Sequence, residues 1–168
     1  MRPFPKDYSG FNKTYIDYTT SADLHLLLQE SLQLMEAFLN SIPATKADYA
    51  YAQDKWTLKE LLQHCIDTER IMAYRSLCVA RGEQQSLPGF DENLYAAASN
   101  ANARSWEGLI EEMVLVRKTT IFLFNSFNEA QLQKRGLANN HTITCNALGF
   151  IIVGHIMHHE RIVRERYL

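Results

Sequence analysis

The sequence predicts an all-α protein, a four-helix bundle, on the basis of three observations. Four long segments repeat apolar residues at three- and four-residue spacing, which is the period of a helix that buries one face. Two of these segments begin with well-formed N-terminal capping signals. No run of residues alternates convincingly between apolar and polar over the length of a strand. Four amphipathic helices of this length bury their apolar faces best against one another.

The first 19 residues are predicted to form an extended arm that packs on the bundle. Pro3, Pro5 and Gly10 break helices, whereas the aromatic residues among them can anchor the chain to a core.

The first bundle helix is expected after this arm, with Thr20 or Ser21 as its N-terminal cap and an end near Pro43. Residues 44–55 form a polar connector. The apolar or small residues of the helix recur at helical spacing at Leu24, Leu27, Leu28, Ser31, Met35, Phe38, Leu39 and Ile42.

The second helix is predicted from Leu58 to about Ala80. Thr57 and Glu60 have the spacing of a capping box, and the apolar residues on either side of them occupy the hydrophobic-staple positions. Gly82 supplies the stop. The buried face comprises Leu58, Leu61, Cys65, Thr68, Met72 and Val79, with His64 and Arg75 at its borders.

The second half of the chain supplies the other two helices. The connector 81–103 is long enough to cross the bundle, so the order of the helices stays open. A third helix is predicted over roughly residues 104–127, and a short helical turn over residues 129–134. Residues 136–144 are polar and include Asn139, Asn140 and His141, and Thr144 is the expected cap of the fourth helix.

Composition indicates a single domain that spans residues 1–168 and resides in the cytoplasm. With 46% hydrophobic residues the chain can bury one core, and a net charge of −2 argues against nucleic-acid binding and against attraction to anionic membranes. The N-terminus is too polar for a signal peptide, and no apolar run reaches about 18 residues. Three cysteines without a Cys-x-x-Cys pair favour reduced thiols over disulfides or a thiolate zinc site.

The histidines are the residues that point to chemistry. His155 and His159 lie about 40° apart on the apolar face of the fourth helix, whereas His158 lies at the edge of that face. His64 borders the apolar face of the second helix. Three neutral imidazoles on one metal leave positions open for water or substrate, as in catalytic sites. The sequence therefore predicts a metal site on His64, His155 and His159.

Other readings of these residues stay open. An i, i+4 histidine pair can arise by chance near a helix C-terminus, and a lone core histidine is more often hydrogen-bonded than a ligand. Asp67 could orient His64, bind the metal itself or be a solvated helix charge. A thiol nucleophile at Cys65 is disfavoured because adjacent helix residues point about 100° apart. The sequence contains no Gly-x-Ser-x-Gly elbow and no phosphate loop.

Two segments of the chain resemble the DinB/YfiT-like superfamily. They are the stretch from Trp56 to Arg70, which reads WTLKELLQHCIDTER, and the stretch from His155 to His159, which reads HIMHH. The likeness spans most of the chain, because it includes the N-terminal arm, the tryptophan before helix two, His64 seven residues after the cap, and the late His-x-x-x-His helix.

The resemblance implies a DinB-like four-helix bundle with an up-down-down-up order of helices, and a homodimer. It also implies a divalent metal ion, foremost nickel or zinc, with iron or manganese as further options. The implied ligands are His64, His155 and His159, and His158 matches a frequent extra histidine that is not a ligand.

The resemblance further implies a metal-dependent enzyme that acts on a small molecule. This would be a hydrolase, or an S-transferase that uses a low-molecular-weight thiol such as bacillithiol or mycothiol. No segment matches a thiol-recognition motif. The competing interpretation is a non-catalytic helical bundle that binds a metal or a small molecule.

Overall fold

The computed structural model describes all residues from 1 to 168 and contains seven α-helices and one β-hairpin. The prediction of an all-α four-helix bundle is confirmed. In chain order the elements are α1 (Lys13–Tyr18), α2 (Leu24–Ser41), α3 (Leu58–Arg81), α4 (Glu92–Ala98), α5 (Trp106–Asn125), α6 (Glu129–Leu132), β1 (Arg135–Ala138), β2 (His141–Thr144) and α7 (Cys145–Arg166). The bounds of α3, α5 and α6 agree with the predicted helices to within about two residues, and the differences elsewhere are described below.

The bundle consists of α2, α3, α5 and α7, with α2 and α3 each packed between α5 and α7. His25 at the start of α2 lies 3.0 Å from Asn125 at the end of α5, so these helices are antiparallel. The Tyr167 hydroxyl, at the end of α7, donates to the Trp56 carbonyl just before α3. The first residue of α2 packs on Gly149 near the start of α7. Consequently α2 and α7 run in one direction, and α3 and α5 run in the other.

Local capping chemistry fixes where the long helices begin. Thr57 forms the predicted capping box at the start of α3, and the Thr144 hydroxyl caps α7 as predicted. The expected cap of α2 at Thr20 or Ser21 is wrong. Asp23 caps that helix, because its carboxylate accepts from two free backbone N–H groups of the first turn, whereas the Ser21 hydroxyl bonds to the backbone of Asp23.

The N-terminal segment packs on the bundle, but it is not extended throughout. Pro5 and Gly10 each begin a 3-10 turn, and α1 forms after them because residues 11–18 contain no helix breaker. This helix lies directly on α7 at Gly154, where an added Cβ atom would come within 1.9 Å of the Tyr15 carbonyl oxygen. Glycine at this position therefore allows the two backbones to touch.

The polar residues 136–144, in which the sequence predicts no strand, belong to an antiparallel hairpin of β1 and β2. Asn139 and Asn140 form its turn with φ angles of 49° and 61°, which asparagine tolerates better than most residues. Each strand has only four residues, too few for a clear alternation. Leu87, from the connector that also contains α4, pairs with the hairpin at Ala138.

One ion pair is buried within the apolar core. The Arg117 guanidinium on α5 donates to both carboxylate oxygens of Glu69 on α3, at 2.8 and 2.7 Å, and also to the Ser31 hydroxyl at 2.5 Å. Arg117 is 0% exposed, so a partner for its charge is required. No helix combines the length and the hydrophobicity that crossing a membrane needs.

Candidate metal centre

Two antiparallel helices bring the three predicted histidines together. His64 lies on the second turn of α3, and His155 and His159 lie one turn apart on α7. All three side chains point into the interface between these helices and are less than 10% exposed. The spacing along α7 places two of them on one face, and the close packing of α3 against α7 supplies the third.

The ring nitrogens of these histidines converge on one point. The Nε2 atom of His155 lies 3.1 Å from Nε2 of His64 and 3.2 Å from Nε2 of His159. One ring nitrogen from each residue lies within 4.8 Å of the others. We refer to these three residues as the histidine cluster.

These separations fit a shared metal ion. Zinc bound to nitrogens at about 2.0–2.1 Å in tetrahedral geometry holds those nitrogens about 3.3 Å apart. Without a metal, the same contacts are N–H···N hydrogen bonds in which one ring of each pair donates from Nε2 and the other accepts. The Nδ1 atom of His159 is buried and has no hydrogen-bond partner in the protein, and a metal on Nε2 would leave it without one. Three imidazoles are also a donor set that zinc and nickel accept readily.

Burial keeps the rings neutral, which is the protonation state that a ligand needs. Desolvation, reinforced by the neighbouring His158, lowers the pKa of His64 to about 4. Desolvation together with the charges of His64 and His158 lowers the pKa of His159 to about 3. The pKa of His155 is also well below its ordinary value, because burial and the other histidines both disfavour its charged form. At neutral pH no proton therefore competes with a metal for these nitrogens.

Aromatic side chains wall the cluster on two sides. The Trp56 ring lies 4.8 Å from the His64 ring between centroids. The Tyr15 ring, carried by α1, meets the His155 ring edge-on at 5.4 Å. Both contacts restrict the rotation of the imidazoles and keep bulk water from these sides.

A third side of the cluster opens to a cleft of 240 Å³. His159 and Trp56 line this cleft together with Tyr167, and its polar lining includes Asp54 and Asn93. A small molecule that enters this cleft contacts His159, the member of the histidine cluster that lines it. An open side of this kind is what a catalytic metal site needs and a closed structural site lacks.

The other residues considered from the sequence lie outside the cluster. His158 is half-buried, with Nδ1 3.4 Å from the Tyr18 hydroxyl, as expected for the edge of the helix face. The Asp67 carboxylate accepts from the Gln63 amide at 2.9 Å and makes no hydrogen bond to His64. Cys65 is buried, and burial raises the pKa of its thiol, which makes it unreactive.

Neither Tyr15 nor Asn93 is predicted from the sequence to lie at the site. The sequence predicts an extended arm at Tyr15, and Asn93 belongs to a short helix inside a connector. One signal in the sequence points to Tyr15: Gly154 is one of two glycines inside the apolar fourth helix and lies beside His155, and such a glycine often marks close packing of another segment.

The comparisons with known proteins agree with this architecture. Residues 27–163 match the sequence model of the DinB superfamily. A solved structure, YfiT from Bacillus subtilis, superimposes with a TM-score of 0.74 at 14% sequence identity, over 98% of this chain and 90% of that one. YfiT is described as a probable metal-dependent hydrolase with an unusual four-helix bundle topology. No curated protein matches the chain. Since the family match covers most of its length, this chain belongs to the DinB superfamily.

Proposed function

We propose that the protein is a metal-dependent enzyme that acts on a small molecule, with His64, His155 and His159 as the metal ligands. The observation that carries the proposal is the convergence of three neutral Nε2 atoms beside an open cleft. The enzyme would be a hydrolase, or an S-transferase if the nucleophile is a low-molecular-weight thiol rather than water. Membership of the superfamily and the description of YfiT as a probable metal-dependent hydrolase support this proposal.

A divalent ion bound here would act as a Lewis acid and lower the pKa of a water or thiol beside it. Nickel or zinc suits three imidazoles best, with iron or manganese as further options. The histidine cluster directs three nitrogen lone pairs at one point. The lowered pKa values of these histidines keep the three nitrogens free of competing protons. The rings of Trp56 and Tyr15 exclude water on two sides, which strengthens electrostatic interactions inside the site.

The cleft beside His159 provides the path for the substrate. Asp54, Lys55 and Asn93 offer polar groups along it, whereas Trp56 and Ile162 offer apolar surface. This mixture is typical of pockets that orient a small molecule by a few polar contacts.

Ligand substitutions test the metal site. His64→Ala or His155→Ala should lower the metal content of purified protein well below that of the wild type, measured by elemental analysis. His158→Ala is the matched control and should keep wild-type occupancy, because its ring contacts Tyr18 and lies outside the cluster. Wild-type stoichiometry and affinity in His64→Ala, or loss of metal in His158→Ala alone, would refute the assignment.

A substrate panel tests the reaction. Ester and amide substrates report hydrolysis, and an electrophile offered with and without bacillithiol reports transfer. Turnover that requires both the metal and the thiol identifies the transferase, whereas turnover without thiol identifies the hydrolase. A metal-loaded protein inactive in both assays would favour the binding-only interpretation.

We further propose a cytoplasmic homodimer. All three cysteines are free, in keeping with a reducing compartment. Leu115 and Phe122, seven residues apart on one face of α5, are 54% and 76% exposed and offer apolar surface for a twofold partner. Light scattering that gives a monomer mass throughout the micromolar range would contradict the dimer.

A further inference from the structure

A second cavity, of 290 Å³, lies further along the interface between α3 and α7. It is bounded by Met72 and Arg75 of α3, by Ile151 of α7 and by Phe90 of the connector before α4. The turn of the hairpin closes it at Asn139. This space is separate from the cleft at His159, because the two share no lining residue.

Arg75 is the unusual member of this lining. It is 6% exposed, yet it forms no ion pair with any carboxylate of the chain. The guanidinium donates to the Pro88 carbonyl at 2.5 Å and contacts the Met72 sulfur at 3.6 Å. A guanidinium carries five N–H donors, so most of its donors are left free.

A buried charge without a counter-ion is costly, and proteins rarely retain one. The other buried arginine, Arg117, shows the usual solution, because it makes two hydrogen bonds to Glu69. Burial lowers the pKa of Arg75, but an arginine stays charged at any physiological pH. Glu92 lines the same cavity, but Arg75 forms no ion pair with it. Arg75 therefore presents to the cavity guanidinium N–H donors that are not bonded to any carboxylate of the chain.

We infer that this cavity binds the carboxylate of a small organic acid, with Arg75 as its counter-ion. A guanidinium matches a carboxylate with two parallel hydrogen bonds. Asn12 and Asn139 line the same space and can donate to its oxygens. The rest of the lining includes Phe11, Met72 and Phe90, which suits an apolar body attached to the acid.

The cavity lies next to the histidine cluster along α7. Ile151 precedes His155 by one turn, or about 6 Å along the helix axis. Aromatic rings connect the two sites, since Phe11 contacts Tyr15 at 6.1 Å and Tyr15 contacts His155. Tyr15 walls the cluster on this side, so the acid at Arg75 is a ligand separate from the substrate that the cleft at His159 would admit. Its binding does not depend on the proposed function.

Binding to metal-free protein tests this site separately from the metal centre. The probes are 4-phenylbutyrate and its uncharged amide, 4-phenylbutyramide, titrated by calorimetry. The acid should bind the wild type at least about tenfold more tightly than the amide, because only the acid gains the charge-assisted hydrogen bonds. Arg75→Gln should abolish this preference, and Arg75→Lys should retain part of it. Arg81→Gln, an exposed arginine of the same helix, is the control and should bind as the wild type does.

Equal affinity for acid and amide in the wild type, or no saturable binding of either, would overturn the inference. So would an unchanged preference in Arg75→Gln. The wild-type comparison decides the matter even if Arg75→Gln does not fold, which circular dichroism would reveal. His64→Ala should lose metal and keep the acid preference, so a failure of one proposal is distinguishable from a failure of the other.

Discussion

Acidification of the metal-free protein probes the burial of the histidine cluster. His64 and His159 have pKa values of about 4 and about 3 in the folded protein. In the unfolded chain an imidazole has a pKa of about 6.5. Between these values the unfolded state binds more protons than the folded state. The stabilisation from neutral burial is therefore complete above pH 6.5 and is lost progressively as the pH falls toward the folded values.

The size of this effect follows from the pKa shifts. Each of these two histidines removes about 1.4 kcal/mol per pH unit from the free energy of unfolding. Together they remove about 5–6 kcal/mol between about pH 6.5 and pH 4, and His155, with its lowered pKa, acts in the same direction. A typical domain has only about 5–15 kcal/mol of stability. The metal-free protein should therefore unfold in mild acid.

Urea unfolding at a series of pH values, followed by circular dichroism after removal of metal by a chelator, measures this slope. His64→Gln should reduce the slope by about 1.4 kcal/mol per pH unit. The control is His141→Gln, which alters an exposed histidine of β2 and should leave most of the slope intact. A wild-type free energy of unfolding that stays constant from neutral pH to about pH 4.5 would refute the reasoning.

Three further substitutions test the packing that supports the site. Gly154→Ala forces the Tyr15 carbonyl away from α7, so it should lower the free energy of unfolding by about 1–3 kcal/mol and accelerate hydrogen exchange in α1. Unchanged exchange would contradict this contact. Arg117→Met should lower the free energy of unfolding, measured in urea, by about 3–5 kcal/mol because it leaves the buried Glu69 charge without a partner. The double variant with Glu69→Met should recover much of this loss. If the two losses simply add, the pair is not coupled. Thr144→Ala removes the cap of α7 and should lower the free energy of unfolding by about 1 kcal/mol, which appears as a lower melting temperature. An unchanged melting temperature would argue against a stabilising role for this cap.

The long helices could be predicted because their signals are local. Apolar periodicity and the caps at Thr57 and Thr144 depend only on residues within one or two turns. The short helix α6 has such a signal, a cap at Asn128, and lies within the predicted turn over residues 129–134, whereas the hairpin and α1 have none. The hairpin needs Leu87 of a distant connector, and α1 needs the missing side chain of Gly154, so both depend on contacts that sequence spacing does not encode.

The same division holds for the functional residues. The sequence by itself determined that His155 and His159 share one face of a helix, since four residues make about one turn. The meeting of these residues with His64 was decided by the antiparallel packing of α3 on α7. The tertiary structure also decided whether Arg75 has a carboxylate partner. Carboxylates are plentiful in the chain, and only the fold decided that Arg117 would lie beside one while Arg75 would face an open cavity without one. Electrostatic pairing depends on distances of a few ångströms, and these are set by packing between segments far apart in the chain.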